Sequence, residues 1–178
     1  MTPGVASLPA DLRVLELDDN QAKASFANML LIVWRKDTTL AAYQRVGTLI
    51  LELSRAHPDG VGVLQVVERG ATPPDTETRS EFLRVLSVAE GHVKHYSVAH
   101  PGSGFSAAIF RAVMLGAYTY VRPKFEHKVF ESLWDAATWH VEQQERIRPT
   151  SMTPATLMKA MEALRSEARR VATQPPKA

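Results

Sequence analysis

Cysteine is absent from this chain of 178 residues. Its absence excludes a disulfide framework, a thiolate nucleophile and any metal site with cysteine ligands. A chain without disulfides suits a reducing compartment. We therefore predict a cytoplasmic location.

Long apolar runs are also missing. No stretch reaches the roughly 18 uninterrupted apolar residues that a membrane-spanning helix needs. The N-terminal residues, from Met1 to Arg13, lack a basic start followed by an apolar segment, so we expect no signal peptide. Lysine and arginine exceed aspartate and glutamate by only two, 21 against 19. Such a small excess does not predict a nucleic-acid-binding surface.

The histidines form no recognised metal motif. Neither H-x-x-x-H nor H-E-x-x-H occurs, and His95 and His100 have opposite parity along one predicted strand. We therefore predict no metal and no cofactor. The default expectation is surface or capping roles for the six histidines, which are His57, His92, His95, His100, His127 and His140.

The most distinctive stretch runs from Val93 to Val121. A short strand-like segment meets the break Pro101-Gly-Ser-Gly104, and a nearly uncharged segment follows. Between Phe105 and Val121 the only charged side chain is Arg111, and apolar residues occur on every side of the helical wheel. This pattern predicts a strand, a tight turn and a helix that is covered on all sides.

Elsewhere, segments with the alternating apolar pattern of strands or the unbroken apolar run of a buried strand are followed by segments with the 3.6-residue period of helices. Met29 to Trp34 is apolar without interruption, which is typical of a central strand with helices on both faces. Strand and helix patterns then alternate to about residue 145. This alternation predicts a layered α/β fold in which the connections between parallel strands are right-handed. We expect a mixed sheet of about five strands with four helices, plus an extra C-terminal helix.

This organisation predicts one principal domain. Residues 1–10 are expected to form a flexible tail, 11–148 the domain, 149–172 a linker and amphipathic helix, and 173–178 a disordered end. Proline at position 154 is typical of a helix start, because its missing N–H would be unpaired there in any case. The apolar stripe of this last helix is expected to pack on its own domain or on a partner chain.

Three segments carry a resemblance to a known family. They are Asn28–Arg35 leading into Thr38–Tyr43, the strand-like segment Val61–Val67, and Phe125–Trp139. Over about residues 11 to 145 the chain resembles small bacterial members of the STAS-like family, which includes anti-sigma-factor antagonists. The resemblance implies a non-enzymatic module with no catalytic residue, which binds a protein partner or itself.

The resemblance also implies a regulatory site. Phosphorylation in the family falls on a Ser or Thr that follows an aspartate, where the strand matching Val61–Val67 gives way to the next helix. Thr76 stands nearest that place, with Thr78 close behind, so both are candidate phosphosites. The candidate interaction loop comprises Thr72, Pro73, Pro74 and Asp75. The alternative is that Asp75 or Thr78 only caps a helix.

The break before Phe105 supports two further hypotheses. Ser103, Gly104 and Phe105 can form an anion site or a pocket, because N–H groups are free at a helix start. A phosphate-binding loop and a nucleophile elbow are both excluded by the spacing, which leaves a hydrolase acting through Ser103 and His100 as a minor alternative. The alternative without a ligand is that the glycines only allow a tight turn between strand and helix.

The main alternative to a protein-interaction module is a small-ligand or lipid-binding protein. Its apolar pocket would be lined by five aromatic residues, which are Phe105, Phe110, Tyr118, Trp134 and Trp139. Cavities lined by aromatic side chains are typical of small-molecule sites.

Overall fold

A computed structural model describes residues 8–101, 116, 119 and 122–172. In these residues the chain is an α/β protein, as the sequence pattern predicted. Six strands form one mixed sheet. They are β1 (Leu12–Leu17), β2 (Gln21–Phe26), β3 (Met29–Trp34), β4 (Val61–Val67), β5 (Val93–Ala99) and β6 (Glu126–Phe130).

The strands lie in sequence order across the sheet, from β1 to β6. The first three strands form an antiparallel meander, and β3 to β6 are parallel neighbours. The sequence led us to expect a hairpin before the first helix and about five strands. The meander supplies the additional strand.

Four α-helices in the described residues cover both faces of the sheet. They are α1 (Leu40–Ala56), α2 (Thr76–Val88), α3 (Leu133–Ile147) and α4 (Pro154–Ala172). One core lies between the sheet and α1 with α2, and the other lies between the sheet and α3 with α4. Strand β3 is buried along its whole length because it contributes alternate side chains to the two cores.

The amphipathic helix α4 packs on its own domain. Its apolar stripe contributes Leu157, Met161, Leu164 and Ala168 to the core shared with α3, and all four are fully buried. None of the helices in the described part of the chain is long and apolar enough to cross a membrane.

The alternation of Ala22, Ala24 and Phe26 with Lys23 and Ser25 predicts that β2 is half exposed, but the strand is almost entirely buried. Lys23 is fully buried, and its ammonium pairs with Glu16 at 2.7 Å and lies 5.6 Å from the ring centre of Trp34. Burial lowers the pKa of Lys23, while the hydrogen bond to Glu16 acts in the opposite direction. Glu16 also pairs with Arg45 of α1 at 2.6 Å. A charged pair, with Arg45 of α1 as a second partner of Glu16, therefore occupies a position that alternation placed in solvent.

Lys23→Met should leave the free energy of unfolding within about 1 kcal/mol of the wild-type value, because buried ion pairs contribute little over a well-packed apolar replacement. Methionine retains most of the lysine stem, and Glu16 retains Arg45 as a partner. Lys23→Ala should cost about 2 kcal/mol because it leaves a cavity. Urea unfolding followed by circular dichroism measures both. Equal losses for the two variants would contradict this account.

By residue type and spacing, the sequence predicts that Asp37 caps α1 and that Thr78 and Glu81 form a capping box at the start of α2. Both predictions are wrong. The N-cap of α1 is Thr39, whose side chain accepts the Ala42 N–H at 3.2 Å, and Asp37 instead forms a backbone bridge with Thr72. Thr78 and Glu81 have the spacing of a capping box, but α2 begins two residues before Thr78. Glu81 therefore pairs with Arg84 at 2.5 Å instead of with the backbone.

Most of the predicted helix from Phe105 to Val121 lies outside the described residues. The two residues described there, Gly116 and Thr119, are helical but exposed to solvent, so the expectation of a helix covered on all sides is wrong at these two positions. Residues 1–7 of the predicted tail over 1–10, and the predicted C-terminal end at 173–178, also lie outside the described ranges.

Candidate functional site

The loop that joins β4 to α2 lies at the carboxyl edge of the parallel strands. The Thr72 N–H donates to the Lys36 carbonyl at 3.0 Å, and Thr72 bridges to Asp37. These contacts hold the loop against the segment that follows β3. Pro73 is exposed and Pro74 partly buried. The predicted interaction loop is therefore an anchored surface feature.

Asp75 is the N-cap of α2. Its Oδ1 atom accepts the Thr78 N–H at 2.8 Å, and this hydrogen bond is the main reason why the pKa of the Asp75 carboxyl is lowered. The cap satisfies one N–H group of the first helical turn. The capping alternative for Asp75 is thus confirmed. Because Asp75 is the cap, Thr76 is the first residue of the helix.

Thr76 and Thr78, the two candidate phosphosites, have opposite environments. Thr76 is the first residue of α2, is exposed, and accepts a hydrogen bond from Arg79 Nη2 at 3.2 Å. Thr78 is only 2% exposed. Since a modifying enzyme must reach the hydroxyl, only Thr76 is accessible in the folded chain.

The predicted anion or pocket residues Ser103, Gly104 and Phe105 lie outside the described residues, and so do Phe110 and Tyr118. The two tryptophans of the proposed apolar pocket are not brought together. Trp134 is 52% exposed, whereas Trp139 packs against Phe130 with 5.7 Å between ring centres. The two residues are five positions apart on α3, so they project from different faces of the helix.

A buried histidine pair is one feature that the sequence did not predict. His95 on β5 and His140 on α3 are fully buried, and their Nδ1 atoms lie 2.6 Å apart. Surface roles are therefore wrong for these two residues, and also for His100, which is only 8% exposed. His140 Nε2 lies 2.7 Å from Ser97 Oγ, and His95 Nε2 lies 3.4 Å from Gln144 Oε1. Asn28 Nδ2 reaches the same Gln144 oxygen at 2.9 Å.

The polarity of this chain of side chains, from Asn28 to Ser97, follows from one backbone group. The Gly60 carbonyl can only accept, so the Asn28 atom at 3.1 Å is the amide nitrogen. The same nitrogen donates to Gln144 Oε1, which must then accept from His95 Nε2–H as well.

The next two hydrogen bonds are fixed in the same way. Because Nε2 of neutral His95 carries the proton, its Nδ1 accepts, and His140 Nδ1–H donates to it. Nε2 of His140 then accepts the Ser97 hydroxyl proton. Each histidine thus has one defined tautomer.

Burial keeps both imidazoles neutral. It lowers the pKa of His95 to about 4, and burial together with the neighbouring His95 lowers the pKa of His140 well below its usual value. Ser97 and His140 share the hydrogen bond of an activated nucleophile and its base. Ser97 is fully buried, however, so these residues tie β5 to α3 inside the core.

The burial of both histidines had a weak signal in the sequence. His95 shares its strand face with Ser97 and Ala99, and His140 follows Ala136 and Ala137 at helical spacing. Within the described ranges, no group of three metal-ligating side chains is positioned to hold a metal ion.

Comparison with protein-family models, with curated proteins and with solved structures finds no match for this chain. Function must therefore be inferred from local geometry. In the part of the chain that the structure describes, the exposed start of α2 and the closed histidine chain between β5 and α3 both carry chemistry that bears on function.

Proposed function

We propose that the chain is a non-enzymatic regulatory module of STAS-like type, which binds another protein chain through the loop before α2 and is gated by phosphorylation of Thr76. The observation that carries this proposal is the exposure of Thr76 at the first position of α2, beside Arg79. The family resemblance points to the same place in the chain. The regulatory class follows from that resemblance, and the proposed cytoplasmic location follows from the absence of cysteine.

The local electrostatics favour a phosphate at this position. A phosphoryl group adds about −1.5 to −2 charges and strong acceptor oxygens. At Thr76 it would stand at the positive end of the α2 dipole, within reach of the Arg79 guanidinium. Asp75 would keep its cap on the Thr78 N–H. The modification would therefore change the charge of the surface and leave the helix intact.

The anchoring of the loop supports a recognition role. Thr72 is fixed by backbone hydrogen bonds to the segment after β3, so the loop needs little ordering when a partner binds. The polar residues of the core make a different contribution. Ser97 and the two histidines are fully buried and hydrogen-bonded to one another. No substrate can reach these buried side chains, so the exposed loop before α2 is the better candidate for a functional surface.

Thr76→Glu should change the affinity for the physiological protein partner by about tenfold, since a phosphate here makes or breaks one or more charge-assisted hydrogen bonds. Ser80→Glu is the matched control because Ser80 is exposed one turn further along α2. Partners purified from source cells with the wild-type chain would be reconstituted from purified components and titrated by calorimetry. The control should remain within about twofold of wild type.

A chain that stays monomeric by light scattering and captures no reproducible partner, with or without the Thr76→Glu change, would contradict the proposed function. Equal effects of Thr76→Glu and Ser80→Glu would contradict the assignment of the gate to Thr76. The two outcomes are separable because the first concerns binding itself and the second only its location.

A further inference from the structure

A second surface feature lies at the carboxyl ends of β3, β4 and β5. It is an open cleft of about 380 Å³. Four of its lining residues are arginines, namely Arg35 after β3, Arg69 after β4, and Arg165 and Arg169 one turn apart on α4. Among the described residues that line it, Glu68 is the only carboxylate. Positive charge from three separate elements therefore converges on one cavity.

Two of these arginines are held in place by the fold. Arg165 binds Glu68 through Nε at 2.6 Å and Nη2 at 2.9 Å, and binds Glu162 through Nη1 at 2.5 Å. Arg35 Nη1 donates to the Ala168 carbonyl at 2.7 Å and more weakly to Asp19 O at 3.3 Å. The Nε and Nη2 groups of Arg35 have no hydrogen-bond partner in the described part of the chain. Arg35 thus presents donors from a fixed position.

The other two arginines, Arg69 and Arg169, have guanidinium N–H groups with no hydrogen-bond acceptor among the described residues. Within the described ranges Arg69 makes no hydrogen bond and no ion pair, and its side chain is exposed. Arg169 donates only to Ser166 Oγ at 3.2 Å and lies 4.0 Å from Glu162. Cations in the last turn of α4 complement the helix dipole, which accounts for Arg169 alone. It does not account for Arg35 and Arg69, which come from strand ends.

We propose that this cleft, here called the arginine cleft, binds a phosphate-bearing small molecule. The planar guanidinium group presents paired N–H donors that match phosphate oxygens, and several such groups around one cavity offset a multiply charged anion. The cavity volume is in the range of small-ligand sites. The site is separate from Thr76 and does not depend on its modification.

Inorganic pyrophosphate is the probe for this site, titrated into the full chain by isothermal calorimetry at 0.15 M ionic strength, about the physiological value. We expect saturable binding that Arg69→Ala and Arg169→Ala each weaken about tenfold, the effect of losing one charge-assisted hydrogen bond. The double variant should show no measurable binding. Both side chains are exposed, so melting temperatures should stay at the wild-type value.

Arg146→Ala is the matched control, since Arg146 is exposed on α3 and its loss changes the net charge equally. This variant should bind pyrophosphate as the wild type does. Three results would overturn the proposal. They are the absence of saturable binding, an equal loss of affinity in Arg146→Ala, which would indicate diffuse electrostatic attraction, and tighter binding of citrate than of pyrophosphate, which would indicate a carboxylate site.

Discussion

Gly62→Ala is expected to lower the free energy of unfolding by about 3 kcal/mol, the upper range for adding a methyl group to a packed core. A Cβ atom on Gly62 would lie 2.2 Å from His95 Cε1 and 2.3 Å from Met29 Sδ. Neither neighbour can move easily. His95 is fixed by hydrogen bonds to His140 and Gln144, and Met29 is fully buried. Urea unfolding monitored by circular dichroism measures the loss.

Gly47→Ala is the control for this prediction. Gly47 lies inside α1, and a Cβ atom there would meet Val85 Cγ2 at an ordinary contact distance of 3.4 Å. Alanine is favoured over glycine inside a helix by up to about 1 kcal/mol, so this variant should be neutral or stabilised. If the two variants had equal free energies of unfolding, β4 could not pack as closely against the His95 ring as the structure shows.

The second large effect is a loss of stability in mild acid. An unfolded histidine binds a proton near pH 6.5, whereas burial lowers the pKa of His95 in the folded chain to about 4. Between these two values the unfolded chain binds more protons, so the free energy of unfolding falls as the pH falls. For His95 alone the loss is about 3 kcal/mol between pH 6.5 and 4. His140, with a pKa lowered further, adds to it in the same direction.

Urea unfolding at intervals from pH 7 to pH 4.5 measures this slope. Most of this window lies above the pKa of 4.5 that is usual for glutamate, so the carboxylates that pair in the folded state contribute little to it. His92→Gln should keep the slope because His92 lies in a turn outside the histidine chain. Histidine NMR signals give an independent test. Titration of both His95 and His140 near pH 6.5 in the folded protein would contradict their assignment as buried neutral groups.

The sequence predicted the elements well because their patterns depend on near neighbours. The unbroken apolar run of β3 required cover on both faces, and the structure places helices there. The stripe of α4 and the helix start at Pro154 were confirmed for the same reason. Exact helix caps were less predictable, since Asp37 and Thr39 are both acceptable caps by residue type. Only the path of the chain near Thr72 selected Thr39.

The candidate sites were predicted unevenly. The sequence proposed Thr76 and Thr78 alike and could not tell them apart, because the exposure of Thr76 and the burial of Thr78 depend on the rotation of α2 about its axis. The histidine chain was missed because His95 and His140 are 45 residues apart and carry no joint motif. The arginine cleft was missed for the same reason, since Arg35 and Arg165 come from opposite ends of the chain.

By itself, then, the sequence determined the alternation of strands and helices, the central place of β3 and the apolar face of α4, because periodicity is a local property. Tertiary structure alone decided that Lys23 is buried, that two histidines meet inside the core, and that arginines from three elements share one cleft. Each of these features brings together polar side chains that are far apart in sequence. Their proximity depends on the order of the strands and the placement of the helices, which no local pattern specifies.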